Sequence, residues 1–267
     1  MNPNREVSDH LKKTVAEWPQ EPPSNLLNAA LRVLSRWRQF LVLEAYLKRQ
    51  GSIIWSGPFK GMDYVAAASE GALLPRLLGS YEAELHPHFL AFAAEGLDCV
   101  IDVGCAEGYY AVGLARLMQQ VTVHAHDIDP AAQAACAALA AKNGVAERVR
   151  IGGEFKPQDF EAFAGQRVLV LVDAEGAELD ILQPDLSPAL AGFNLIVETH
   201  DIYRQGALAT LMERFGKTHD IVRVDQAYAA FEPPPWFANV AHLDRLLAVW
   251  EWRLSPTPWL VMRPKRA

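Results

Sequence analysis

The chain has 267 residues, 51% of them hydrophobic and 21% charged, with a formal net charge of −7. That length can bury a substantial core, and the acidic balance lacks the basic face on which nucleic-acid affinity usually rests, so no nucleic-acid partner is expected. No apolar run approaches the roughly 18–20 residues of a membrane helix, and the opening MNPNREVSDHLKKT has no signal-peptide core, so the expectation is a cytoplasmic protein without a membrane partner.

Residues 1–23 read as a mobile lead closed by Glu21-Pro22-Pro23. NLLNAALRVLSRWRQFLVLEAYLKRQG follows. Leu27, Leu31, Leu34, Trp37 and Leu41 recur at three- and four-residue spacing, which predicts an amphipathic helix. Gly51 stops it after Lys48 and Arg49. Arg32, Arg36 and Arg38 read most simply as a solvated face. SIIWSGPFKGMDYV has the punctuation of a hairpin or lid. Residues 1–80 are therefore expected to form a helical arm and cap, with GPFKGM near the substrate entrance.

From residue 81 short β-rich runs alternate with helical stretches. CVIDV precedes EGYYAVGLARLM; VTVHAHD precedes PAAQAACAALAAKNG; RVRIGG precedes PQDFEAFAG; RVLVLVD precedes GAELDILQ; FNLIVETH precedes QGALATLMERFG. Apolar strands separated by helices predict an α/β fold, a doubly wound, mostly parallel sheet over residues 81–267. THDIVRVDQ and PWLVMRP add two strands. Between them lies an insertion near 226–253, YAAFEPPPWFANVAHLDRLLAVWEW, either a lid or a segment packed by Trp236, Trp250 and Trp252.

VIDVGCAEGYYAVG, residues 100–113, carries the nucleotide signal. A phosphate-cradling loop needs a lysine after its last glycine, and Tyr109 follows Gly108. A dinucleotide fingerprint needs a second glycine two positions after Gly104, and Ala106 stands there. What remains is Asp102-x-Gly104-x-x-x-Gly108, a tight turn beside an acid that suits a cationic amino or sulfonium group. Asp127, 23 residues beyond Gly104, ends the next strand and can take ribose hydroxyls. Asp129 fits better as the cap of the helix from Pro130. These features point to S-adenosylmethionine (SAM). Cys99, Cys105 and Cys136 have no disulfide or zinc spacing, and Cys105 reads as a small residue in a tight turn.

YEAEL at 81–85, VIDVGCAEGYY at 100–110, AHDIDP at 125–130, DAEGAELDIL at 173–182 and VETHD at 197–201 together resemble the FkbM-type branch of class I SAM-dependent methyltransferases. The resemblance implies a seven-stranded Rossmann-like sheet whose last strand is antiparallel. It also implies methyl transfer to a small-molecule acceptor, often a hydroxyl of a sugar or natural product. Carried onto matching positions, it implies a cofactor set of Tyr81, Asp102, Gly104, Cys105, Ala106, Gly108, Tyr109, Tyr110, Asp127, Ile128, Gly153 and Asp173. The arm and the tryptophan-rich insertion match none of its motifs. N-methylation, a catalytically silent SAM-binding module and, more distantly, a dehydrogenase are the competing readings, and a homo-oligomer is left open.

Ligands of open α/β sheets sit at the carboxyl ends of the strands, so acids and histidines there are the chemical candidates. His200 is expected as general base, because a neutral imidazole titrates near working pH. Asp173 and Glu175 would orient it or the substrate. Glu175 could equally complement a helix dipole, and Glu178 reads as structural. Asp173 with Glu198, His200 or Asp201 could hold a divalent cation, but no metal is the expectation.

Overall fold

The apolar runs between residues 99 and 264 become strands, and their pairing fixes the rest of the chain. In a computed structural model that describes residues 3–65, 73–227 and 231–265, the elements before the sheet are α1 (Pro3–Ala16), α2 (Ser24–Gln50), α3 (Leu73–Leu78) and α4 (His86–Ala94). Then come β1 (Cys99–Val103), α5 (Tyr109–Leu117), β2 (Thr122–His126), α6 (Pro130–Lys142), β3 (Val149–Gly152), β4 (Val168–Val172), α7 (Glu178–Ile181) and β5 (Asn194–Glu198). The chain continues through α8 (Ala207–Phe215), β6 (His219–Val224), α9 (His242–Ala248) and β7 (Trp259–Pro264).

The strand order is β3-β2-β1-β4-β5-β7-β6, with β7 antiparallel to both neighbours and the other pairings parallel. This is the Rossmann-like methyltransferase sheet that the resemblance implied. β1 and β4 are buried along their whole length, as strands covered on both faces must be. Alternation divides them between two cores. Val100, Val123 and Leu169 pack with α5, α6 and the arm. Ile101, Val103 and Val170 pack with Leu211 and Phe215 of α8. Among the described residues, no helix is long and apolar enough to cross a membrane.

The arm departs from expectation in four places. Residues 3–16 are helical rather than a mobile lead, and Asn4 accepts a hydrogen bond from the Trp37 indole at 2.8 Å. The long helix ends at Gly51 as expected, but Leu27, Leu31 and Leu34 are 50%, 59% and 41% exposed, while Ser35, Gln39, Val42 and Tyr46 are buried. A polar stripe can be buried because its partners are supplied. The Gln39 amide donates to the carbonyls of Leu247 (2.6 Å) and Trp250 (2.9 Å) and accepts from the Trp252 indole (2.6 Å). The arginines are not simply solvated. Arg36 lies 5.0 Å from the Trp252 ring, Arg32 5.4 Å from the same ring, and Arg38 binds Asp244. Finally, GPFKGM does not border the cavity described below. Phe59 is buried against Tyr109 and fills the space beside Gly113, where a Cβ would come within 2.7 Å of its ring.

Ile53 and Asp63 form an antiparallel bridge, so that segment is hairpin-like. PQDFEAFAG forms a 3-10 turn, Pro157–Phe163, instead of an α-helix, and α7 is a single turn. Of the expected insertion, residues 228–230 lie outside the described residues; the remainder contributes α9, which packs along α2.

Candidate active site

Parallel register brings three loops to one edge of the sheet. Val103 ends β1 level with His126 of β2 and Val172 of β4. Gly104 N–H and Cys105 N–H both donate to His126 O, and Asp173 N–H donates to Val103 O at 3.0 Å. The strand order reverses between β1 and β4, so the loops after them flank the switch-point crevice where ligands of such sheets bind. Gly104, at φ +87°, passes so close to β4 that a Cβ would stand 1.8 Å from Asp173 O. Gly108, at φ +94°, caps α5, and a Cβ there would stand 2.7 Å from Cys136 Sγ. Both glycines are thus steric requirements of the turn. The three cysteines are free and buried.

The expected cofactor residues divide by accessibility. Tyr81, Gly104, Ala106, Asp127 and Asp173 are half-buried, while Ile128 and Gly153 are exposed, with Ile128 at 81%. Asp127 accepts from Ala106 N–H and Asp129 N–H, both at 2.9 Å, and so ties the glycine loop to the end of β2. Asp129 caps α6 through Ala131 N–H. Cys105, Gly108, Tyr109 and Tyr110 are buried behind the loop. The Tyr110 hydroxyl is taken by Glu82, and Tyr109 packs edge-on to Tyr81.

Asp102 corrects its expected role. It is fully buried, with neither carboxylate oxygen hydrogen-bonded among the described residues, so it does not present a charge to a ligand. Burial, and secondarily the charge of Asp127, pushes its pKa up to about 7. The native state therefore holds this proton to about 7, whereas an ordinary carboxyl releases it near 3.8. Its contribution to stability is complete below the lower value, falls as pH rises, and is gone above the higher one. Asp102→Asn is expected to remove a slope approaching about 1.4 kcal/mol per pH unit in that window. Urea titrations of the ligand-free protein between pH 5 and 8 check this; equal slopes in both proteins would refute it.

At the ends of β4 and β5, His200 is 3% exposed and its Nδ1 lies 2.7 Å from Glu178 Oε1. Glu178 itself is fully buried and also accepts from Gly176 N–H at 2.9 Å. Through these bonds it ties the loop after β4 to the His200 ring. His200 Nε2 stands 3.4 Å from Glu175 Oε2 and 3.7 Å from Asp173 Oδ1 and from Glu198 Oε2. Glu175 precedes α7 at φ +47° and faces His200, so it is not a helix-terminal charge. Asp201 is outside the cluster: it accepts from Gly206 N–H and Leu208 N–H at the start of α8. Burial lowers the His200 pKa, but the Glu178 hydrogen bond and the charges of Glu198 and Glu175 outweigh it, and the net shift is upward. Without ligand this favours imidazolium, the opposite of the neutral ring expected of a base. Burial and then Glu198 raise Asp173 well above the usual carboxylate range.

Of these groups Glu175, Glu198 and His200 line a cavity of about 640 Å³. Tyr81 lines it with them, as do Arg36, Gln39, Phe40 and Leu43 of α2, Trp252, and the cations Arg76 and Arg253. Phe40, Ile202, Tyr203 and Leu254 line it too and are each at least 42% exposed. A second cavity of about 1030 Å³ lies under the insertion and shares Glu251 and Arg253 with the first, but no strand-end acid or histidine reaches it.

Sequence reasoning missed the charges behind this cavity. Arg253 donates to Glu82, Glu198 and Thr257, and to Glu251 at 3.1 Å. Arg76 of α3 pairs with Glu107 at 2.6 Å, which fastens the arm to the glycine loop. The available signal was indirect: charges within otherwise apolar stretches. Backbone strain marks the same place. Glu82, Ala106, Glu175 and Trp252, all non-glycine, adopt positive φ. Such strain gathers at functional sites.

No family model and no curated protein sequence matches the chain, so the FkbM-type resemblance is carried by its motifs alone. The chain is similar in part to solved structures. The O-methyltransferase TomG from Streptomyces achromogenes, crystallised with SAM, is 11% identical, with 68% of this chain and 81% of that one covered and a TM-score of 0.46. An rRNA methylase from Streptococcus thermophilus is 15% identical over 69% and 97% of the two chains, at 0.45. An O-methyltransferase from Bacillus cereus, with SAH, is 10% identical over 66% and 78%, at 0.45.

Proposed function

We propose that the protein is a SAM-dependent methyltransferase acting on a hydroxyl of a small molecule. The observation that carries this reading is the juxtaposition across the switch point. The glycine turn and Asp127 lie on one side of Asp173, and the Glu175–His200 cavity lies on the other. The accessible cradle fits the cofactor. In this reading Asp127, whose oxygens accept from Ala106 N–H and Asp129 N–H, would take the ribose hydroxyls, Ile128 would offer an apolar face to the base, and Gly104 and Ala106 would border the methionine end. Bound SAM would supply an activated methyl group; the chain's own residues align the acceptor and take its proton. Asp173, Glu175 and His200 are the groups proposed to receive the hydroxyl. The arm, through α2, covers the acceptor.

The net charge of −7 favours a small molecule over a polynucleotide. SAM, SAH and NAD titrated separately while following thermal stability test the cofactor. A native-state ligand adds about 2.7 kcal/mol at a hundredfold excess over Kd. Stabilisation by NAD alone would overturn the reading. Asp127→Ala is expected to remove charge-assisted hydrogen bonds worth about 1.5–3 kcal/mol each, and to weaken SAM binding by at least about tenfold. Unchanged affinity by calorimetry would place the ribose elsewhere.

A further inference from the structure

We infer that Asp173, Glu175 and His200 form a binding site for one divalent first-row transition ion. The inference rests on the side-chain cluster itself and stands apart from the cofactor assignment. One ligand atom from each residue lies within 4.8 Å of the others. His200 Nε2 is 3.4 Å from Glu175 and 3.7 Å from Asp173. Ligands held about 2.0–2.2 Å from an ion stand roughly 3.0–3.4 Å apart, so the two histidine edges need to close by no more than a few tenths of an ångström, while the Asp173–Glu175 edge, within 4.8 Å, closes by a movement of the half-exposed Glu175 side chain.

An acidic cluster alone would mean little, and two further observations distinguish this one. His200 is 3% exposed, and its Nδ1 is held by the fully buried Glu178, which leaves Nε2 aimed into the cluster; among the described residues that nitrogen makes no hydrogen bond. Asp173 Oδ1 is likewise buried without a hydrogen-bond partner among the described residues. A carboxylate behind a histidine whose other nitrogen faces acids is the arrangement that orients metal-ligating imidazoles. The nearby cation does not neutralise the cluster, since Arg253 is engaged by Glu82, Glu198 and Glu251. One imidazole with two carboxylates suits a first-row transition ion better than magnesium or calcium, which prefer oxygen alone, and Mn²⁺ is the spectroscopic probe of that class. Three protein ligands leave positions open toward the cavity, where an acceptor oxygen would be polarised; with an ion on its Nε2, His200 would act on the acceptor through that ion and not as its proton acceptor.

The test uses Mn²⁺ alone, added to the full chain after chelation and dialysis, with free ion followed by electron paramagnetic resonance. One Mn²⁺ per chain is expected. Glu178→Gln, which keeps all three ligands, should weaken it by about 10–100-fold. Glu175→Gln should abolish stoichiometric binding, and its half-exposed side chain keeps folding out of question. Asp220→Asn, an exposed acid elsewhere, should change nothing. Absence of a stoichiometric site at millimolar Mn²⁺, or its survival in Glu175→Gln, overturns the inference. SAM-induced stabilisation measured on the same metal-free sample shows whether the methyltransferase reading stands regardless.

Discussion

His200→Ala is expected to lower kcat by about 10²–10⁴-fold, the usual contribution of a positioned proton-transfer group, while SAM affinity stays unchanged. The division follows from geometry. His200 ends the β5 side of the cavity, facing Asp173 and Glu175, whereas the proposed ribose and base contacts lie at β2. The substitution has a structural side effect, because it leaves Glu178 buried without its imidazole partner. His200→Gln separates the two effects. Its amide can still donate to Glu178, so much of the stability should return while the rate does not. Single-turnover kinetics with a radiolabelled methyl donor, after a screen of hydroxylated metabolites, supply the measurement. A loss of less than about threefold in both variants would remove His200 from the chemistry.

The sheet was legible because its strands carry their own evidence. A run such as VLVLV at 168–172 can be buried only by cover on both faces, and the glycine turn after CVIDV admits no side chain at Gly104. The strand-end residues Asp173, Glu175 and His200 were legible for the same reason, since the topology of a parallel sheet puts them at one edge. The arm was not. Leucine spacing in α2 marks an apolar stripe, but the face that is buried is Ser35, Gln39, Val42 and Tyr46, because α9 and Trp252, more than 200 residues later, bring hydrogen-bond partners to it. Periodicity senses hydrophobicity and not the partners that make polar burial tolerable. Asp102 shows the converse. Its place before the glycine turn was read correctly as a strand end, but the direction in which its carboxyl points is set by packing, and it points into the protein. Glu178 and His200 are 22 residues apart, and nothing local in either segment announces that they touch.

Arg253→Ala is expected to cost about 3–5 kcal/mol of stability, a fall of roughly 6–20 °C in Tm for a chain of this size. The guanidinium is the shared partner of Glu82, Glu198 and Glu251, all less than a tenth exposed. Removing one partner of a buried ion pair leaves uncompensated charge in a poorly solvated place, and here three carboxylates lose the same cation. Protonation is their only other relief. Burial already raises the Glu82 pKa well above the usual range, with Arg253 opposing and Glu198 and Glu251 adding to the rise. Without Arg253 the Glu82 carboxyl should hold its proton to higher pH still. A carboxyl whose native pKa is raised contributes stability at low pH and loses it as pH rises through that value. The deficit of the variant should therefore be largest at alkaline pH and shrink on acidification, and the double variant Arg253→Met with Glu198→Gln should recover part of it at neutral pH. Because Glu251 and Arg253 also form the shared wall between the two cavities, acceptor binding should weaken alongside stability. Calorimetric melts from pH 5 to 8 decide the matter: a deficit that does not vary with pH would mean that Arg253 acts by packing, and one below about 1 kcal/mol would mean that the carboxylates are already solvated or protonated.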